Sequence, residues 1–304
     1  MKKQTATLIM SFGALIWGAA FVFQSMGMDY IGPLLFGAVR FLMGALAIIP
    51  LILMRRHNRK LFPDDYANSD NNTKKCLLGG AVCGVALFAA SAVQQIGLQY
   101  TTASKAGFLT ALYMILVPIF AFVFLRKKVS AIVWLAVAIA SVGTYFLCIN
   151  GDFYISSGDT LIIIGSALWA VQILCIDSFS RGLDGLEFAF YEFMTCSALS
   201  FIFAFCLEEV SLEGIVSALV PLLYCGVLSV GVGFSAQVIC QKHMDPSVAS
   251  LLMSTESVFA AIFGVIILHE TLTPREIFGC ALVFAAVLVT LIPTPSRGAK
   301  RQID

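Results

Sequence analysis

Charge is what this sequence has least of. Only 12% of its 304 residues are Asp, Glu, Lys or Arg, about half the share that a soluble domain uses to cover its surface. An ordinary water-soluble enzyme is excluded on that ground, because long stretches carry nothing that water would solvate. No basic face interleaved with aromatics is present and the formal net charge is +1, so nucleic acid is not an expected partner. The nine cysteines form no CxxC pair and no Cys/His cluster; lying in or beside apolar runs, they read as small core hydrophobes rather than redox or metal groups. Nor is there a GxxxxGK[ST] loop to cradle the phosphates of a nucleotide, which excludes ATP-driven pumping by this polypeptide. No cofactor is expected.

What the sequence has is apolar length, with 59% hydrophobic residues. A helix crossing a bilayer takes about 20 apolar residues. Apolar runs broken by polar or turn residues predict spans near 5–24, 34–54, 77–98, 104–125, 130–149, 159–178, 186–206, 217–240, 247–268 and 275–292. The first follows Met1-Lys2-Lys3 but is too long for a signal peptide and has no small-residue cleavage site, so it reads as a membrane helix. With ten spans, one set of ends carries sixteen Lys and Arg residues, among them Arg55, Arg56, Lys127, Arg181 and Lys242, and the other set carries Lys105 and Arg275. Positive charge collects on the cytoplasmic side, so both termini are expected in the cytoplasm of a multi-pass protein of the inner membrane. The one long polar loop, residues 55–75, lies on that side, and its sequon Asn71-Asn72-Thr73 would stay unmodified.

The chain repeats itself. Gly13-Ala14-Leu15-Ile16-Trp17 returns as Gly165-Ser166-Ala167-Leu168-Trp169, and at the same offset of 152 Phe36 and Phe41 fall on Phe188 and Phe193. At a slightly shorter offset Cys83-Gly84-Val85 and Gln95 fall on Cys225-Gly226-Val227 and Gln237, and Leu125–Ser130 falls on Leu268–Thr273. Two five-helix halves follow, 1–150 and 151–304. Five is odd, so the second half enters the membrane from the opposite side, an inverted repeat of the kind secondary transporters use. Arg126-Lys127-Lys128 facing His269-Glu270-Thr271 across the repeat agrees with opposite placement of the two junctions. The expected fold is therefore an all-α integral membrane protein of ten transmembrane helices in two inverted five-helix repeats.

Ionisable groups at membrane depth are functional candidates by default, and Arg40, Glu192 and Glu256 stand out. Glu256 lies about nine residues into its span, ~13 Å deep, near the midplane, with Tyr113 as its counterpart in the first half. Glu256 is expected to carry coupling protons or to pair with a cationic group of a substrate; a neutral carboxyl bonded to a neighbouring helix is the structural alternative. Arg40 and Glu192 are repeat-equivalent and opposite in charge, but inversion puts them about a dozen ångströms apart along the membrane normal. They are not expected to pair, and snorkelling or helix anchoring explains them as well as transport does. Trp17, with Phe21 and Gln24, and Trp169, with Gln172, either line an amphipathic cavity or pack the core. Gln94 and Gln95 near one mouth, and Gln237 and Gln241 near the other, either gate or cap. The spacing of Gly80 and Gly84 allows close helix contact, and Pro118 frees a backbone carbonyl in the fourth span.

Several runs together resemble the EamA-type branch of the drug/metabolite transporter superfamily. Trp17-Gly18-Ala19-Ala20-Phe21-Val22 is similar to its opening WGxxF motif. Gly107-Phe108-Leu109-Thr110-Ala111-Leu112-Tyr113 with Val117-Pro118 resembles the fourth helix of one subgroup, and Gln241-Lys242 through Leu268-His269-Glu270 the segment that usually ends in LEPVFA and LGE. The resemblance implies ten helices in two inverted halves, a central cavity lined mainly by helices 1, 3, 4, 6, 8 and 9, and export of small metabolites or amino acids. The expected partners are a small-molecule substrate and the lipid bilayer, and either a monomer or a homodimer is open. Ser257 stands where the family has proline after the glutamate, which predicts a straighter ninth helix. Two other classes remain open at this point. A channel would use the same cavity, and a lipid-modifying membrane enzyme would use Asp64-Asp65-Tyr66-Ala67-Asn68 or His269-Glu270-Thr271-Leu272-Thr273, near-misses of Mg²⁺ and Zn²⁺ motifs that each lack the closing ligand.

Overall fold

The structure, a computed structural model, describes residues 3–57, 73–148, 156–269 and 271–291. Most of the 55–75 loop, the asparagines of its sequon, Glu270 and the last residues of both termini lie outside the described residues. The described residues are helical throughout, with no strand. They form ten rods and one short helix, Leu212–Ser217, which precedes the eighth rod: α1 (Lys3–Gly27), α2 (Pro33–His57), α3 (Thr73–Leu98), α4 (Ala103–Thr110 continued by Tyr113–Val123), α5 (Ala131–Cys148), α6 (Ser157–Phe179), α7 (Gly185–Leu207), α8 (Leu219–Leu223, Tyr224–Phe234 and Ser235–Gln241), α9 (Pro246–Met253 continued by Glu256–Leu268) and α10 (Pro274–Leu291). Each apolar run of the sequence is one rod. Eight of the ten, all but α5 and α10, are long and apolar enough to cross a membrane. Leu8, Phe124 and Leu207 on the outside are each 70% exposed or more, which suits a lipid surround.

Local chemistry sets where several rods begin. Thr102 caps α4 by accepting from the Lys105 amide. Ser156 and Asp159 form a reciprocal capping box at the start of α6. Asp184 accepts from the amides of Leu186 and Glu187 ahead of α7, and Asp245 caps α9, whose first residue is Pro246. At their far ends α4 and α9 stop in the same way: Arg126 (φ 51°) and His269 (φ 56°) both take the left-handed conformation. That conformation costs an L-residue about 1–2 kcal/mol, and the loop satisfies the helix end all the same, with the Lys127 amide reaching the Ala121 carbonyl. His269→Gly is expected to stabilise the protein by up to about 1 kcal/mol, seen as a higher unfolding midpoint in detergent; a lower midpoint would mean the imidazole itself holds the turn.

α1 packs on α8 and α9, α6 on α3 and α4, α2 and α3 on α7, α2 on α8, and α5 on α10. Small residues permit the closest of these approaches. A Cβ on Gly80 would lie 2.7 Å from the Tyr191 Cβ and 2.8 Å from the Phe188 carbonyl, and one on Gly84 would lie 2.6 Å from the Glu192 carbonyl. Backbone cannot swing aside as a side-chain tip can, so Gly84→Ala is expected to cost about 1–3 kcal/mol. Thermal unfolding in detergent reads this out, and an unchanged midpoint would show that α3 and α7 do not meet here.

Candidate functional site

Two rods break at matched places. In α4 the Leu112 amide bonds the Leu109 carbonyl at 3.3 Å, and in α9 the Thr255 amide bonds the Leu252 carbonyl at 3.4 Å. Each tightens one turn before the helix resumes, at Tyr113 in α4 and at Glu256 in α9. The ninth helix is therefore not straighter for want of proline. Four hydroxyls do proline's work there, since Ser250, Ser254, Thr255 and Ser257 each donate to the carbonyl three residues back, at 2.7–2.9 Å. Such back-bonding competes with the helical ladder and bends it. The two restarts face each other, and the Tyr113 hydroxyl donates to Glu256 Oε1 at 2.8 Å.

This pair borders a central cavity with about 480 Å³ of empty space, its open mouth included. Nine residues singled out in the sequence line it: Trp17, Phe21, Gln24, Arg40, Gln94, Tyr113, Trp169, Gln237 and Glu256. Lining comes from α1, α3, α4, α6, α8 and α9 as the resemblance implied, and α2 adds Arg40. Gln95, Gln172 and Glu192 are buried just behind the wall. They belong to two networks that mirror each other. On one side Arg40 Nη1 donates to Gln24 Oε1 at 2.6 Å and Gln95 donates to the Gln24 carbonyl at 3.4 Å. On the other, Gln172 donates to Glu192 Oε1 at 2.9 Å and Gln237 donates to Gln172 Oε1 at 3.3 Å. Arg40 and Glu192 thus have separate partners and form no ion pair. Arg40 does not snorkel to a helix end either; it is 3% exposed and held inside. Gln94, read as a gate or a cap, accepts from the Trp169 indole N–H, while Gln241 donates to the Ile173 carbonyl at 2.6 Å.

The aromatic wall has a member that sequence reasoning missed. Phe234 stacks on Trp169 with centroids 5.7 Å apart and planes 10° apart, and its centroid is 5.1 Å from that of Trp17. It closes an eleven-residue π-helical stretch, Tyr224–Phe234, a rare backbone form that recurs at functional sites. The Trp17 indole donates to the Ser229 carbonyl within that stretch, at 3.3 Å. The glycine-rich run Gly226–Phe234 was the available signal. Sequence reasoning also missed two ion-pair clusters that pin α4 to α6 at both ends. Lys105 meets Asp159 at 2.5 Å, with the Thr101 hydroxyl donating to the same carboxylate at 2.8 Å; at the far end Lys127 and Arg181 share Asp177.

The EamA-like transporter family model matches twice, over residues 4–149 and over residues 156–292. The chain belongs to the EamA-like transporter family. An uncharacterized transporter of Archaeoglobus fulgidus is 30% identical over 294 residues, covering 95% of this chain and 86% of its own. YoaV, an uncharacterized transporter of Bacillus subtilis, is 23% identical with 90% and 92% covered, and YedA, an uncharacterized inner membrane transporter of Escherichia coli, is 24% identical with 93% and 92% covered. One crystal structure superposes with a TM-score of 0.73 at 18% identity, over 95% of this chain and 97% of that one. As an EamA-like protein with eight apolar helices long enough to cross a bilayer, the chain is a multi-pass membrane protein, and its family is one of transporters rather than enzymes.

Proposed function

We propose that this protein is a secondary transporter that exports small metabolites or amino acids across the cytoplasmic membrane by alternating access, with protons coupled at Glu256. The observation that carries this reading is the Tyr113–Glu256 bond, made where two broken helices restart at the wall of a central cavity. Discontinuous helices meeting near the bilayer midplane are where such carriers place substrate and coupling ions. Ten spans in two inverted halves, 1–150 and 151–304, are supported by the double family match. They are supported also by the contacts, in which α1 on α8 and α9 has its counterpart in α6 on α3 and α4. Orientation rests on charge. Arg55, Arg56, Lys127, Arg181 and Lys242 gather at one end of the bundle, opposite Lys105 and Arg275, and the basic end belongs in the cytoplasm. The export direction follows the family resemblance, and a monomer or a homodimer accommodates the arrangement.

The test is counterflow in proteoliposomes loaded with a mixed panel of labelled amino acids and small organic acids. Saturable flux that trans-side solute accelerates supports a carrier. Conductance that does not saturate would replace it with a channel, and chemical turnover of lipid would replace it with an enzyme.

A further inference from the structure

Arg40 is an uncompensated cation on the wall of the cavity. Its guanidinium has one side-chain oxygen as a partner, that of Gln24. Its other neighbours are the thiols of Cys225 and Cys196 and the rings of Phe36 and Phe41, whose centroids lie 5.7 and 4.9 Å from its central carbon. Among the described residues no carboxylate lies within ion-pairing distance, and Nε has no partner at all. A guanidinium buried in this way is costly unless something carries the opposite charge to it, and it presents planar donors whose fork matches a carboxylate. Thr110, on the same wall, offers a second buried polar group without a partner, its hydroxyl. Beside them Trp17, Trp169 and Phe234 make the wall aromatic and apolar.

We propose that Arg40 is the anion subsite of the central cavity, and that the protein's solutes carry a carboxylate, bound there, joined to an apolar body that packs against the aromatic wall at Trp169 and Phe234. The mirrored network explains why the cation stands alone. Glu192, the repeat-equivalent of Arg40, accepts instead from Gln172, to which Gln237 bonds in turn, so it is not Arg40's counter-charge and Arg40 is left to the solute. This rests on the transport reading only in taking the cavity to be the solute site.

The test is a binding titration in phosphatidylcholine nanodiscs, followed by tryptophan emission, with Trp134→Phe to remove the one tryptophan away from the cavity. The probes are 3-phenylpropionate and its uncharged amide, 3-phenylpropionamide. The acid is expected to bind at least about tenfold tighter than the amide, the size of one charge-assisted hydrogen bond. In Arg40→Gln that preference falls to about twofold or less, and in Arg40→Lys, which keeps the charge but not the fork, it is intermediate. Equal binding of acid and amide to the native chain overturns the assignment, and so does an undiminished preference in Arg40→Gln. Should Arg40→Gln not fold, the native ratio and Arg40→Lys decide in the same terms. Counterflow of an uncharged solute together with equal binding of the two probes would sink the Arg40 subsite and leave the carrier; acid-selective binding without counterflow of any solute would do the reverse.

Discussion

Glu256→Gln is expected to keep solute exchange and to lose its response to a pH gradient. Glutamine has the shape of glutamate and still offers an oxygen to the Tyr113 hydroxyl, so the bond that joins the two helix restarts, 2.8 Å in the native chain, survives the change. What it removes is the proton-binding site. With one proton moved per solute, a gradient of one pH unit drives up to about a tenfold accumulation, the equivalent of 1.36 kcal/mol, and in the variant that ratio is expected to collapse to about one. Tyr113→Phe is the control, because it takes away the hydroxyl and leaves the carboxyl, and coupling is expected to persist in it. A Glu256→Gln protein that concentrates solute across the gradient as the native chain does would make Glu256 a structural group.

The rods and the wall differ in how far they can be read from residues alone. Rods are legible because a run of some 20 apolar residues has few alternatives in a bilayer, and their starts are legible because Thr102, Ser156, Asp184 and Asp245 are capping types placed just ahead of apolar runs. The interior of a rod is another matter. Pro118 hinted at the break in α4, but the break in α9 comes from hydroxyls that bond backward, and a serine in a helix bends it only when its neighbours let the carbonyl tilt. The four hydroxyl residues around Glu256 were the signal there. In α8 the π-helical stretch depends on a hydrogen-bond register that glycines permit without specifying, so Phe234 looked like any other of 25 phenylalanines. Arg40 and Glu192 were legible as repeat-equivalent charges that do not pair. Their glutamine partners were not, because no spacing rule links residues on different helices. The same holds for the Lys105–Asp159 and Lys127–Asp177 pairs, whose members lie 50 or more residues apart; only Arg181, four residues from Asp177, falls within a helical spacing rule.

Phe234→Ala is expected to be the most destabilising single truncation at the cavity wall. The ring lies within 6.4 Å, centroid to centroid, of Trp17, Trp169, Phe41 and Phe193, so it joins the aromatic groups of α1, α2, α6 and α7 through one side chain of α8. Deleting a buried phenylalanine costs about 3–5 kcal/mol in a water-soluble core, part of it transfer from water and part the cavity left behind. In a bilayer the unfolded reference still lies in lipid and the transfer part shrinks, which leaves about 2 kcal/mol or more for lost packing and ring–ring contact. Phe234→Leu restores most of the volume without the ring, and is expected to recover stability to within about 1.5 kcal/mol of native. Function should separate from stability at that point. With leucine the wall is still filled but has lost an aromatic ring, so binding of 3-phenylpropionate is expected to weaken several-fold while that of an aliphatic acid such as hexanoate changes little. If leucine restored both stability and phenylpropionate binding, the ring would matter only as volume, and the aromatic wall at Phe234 would not be a surface the solute uses.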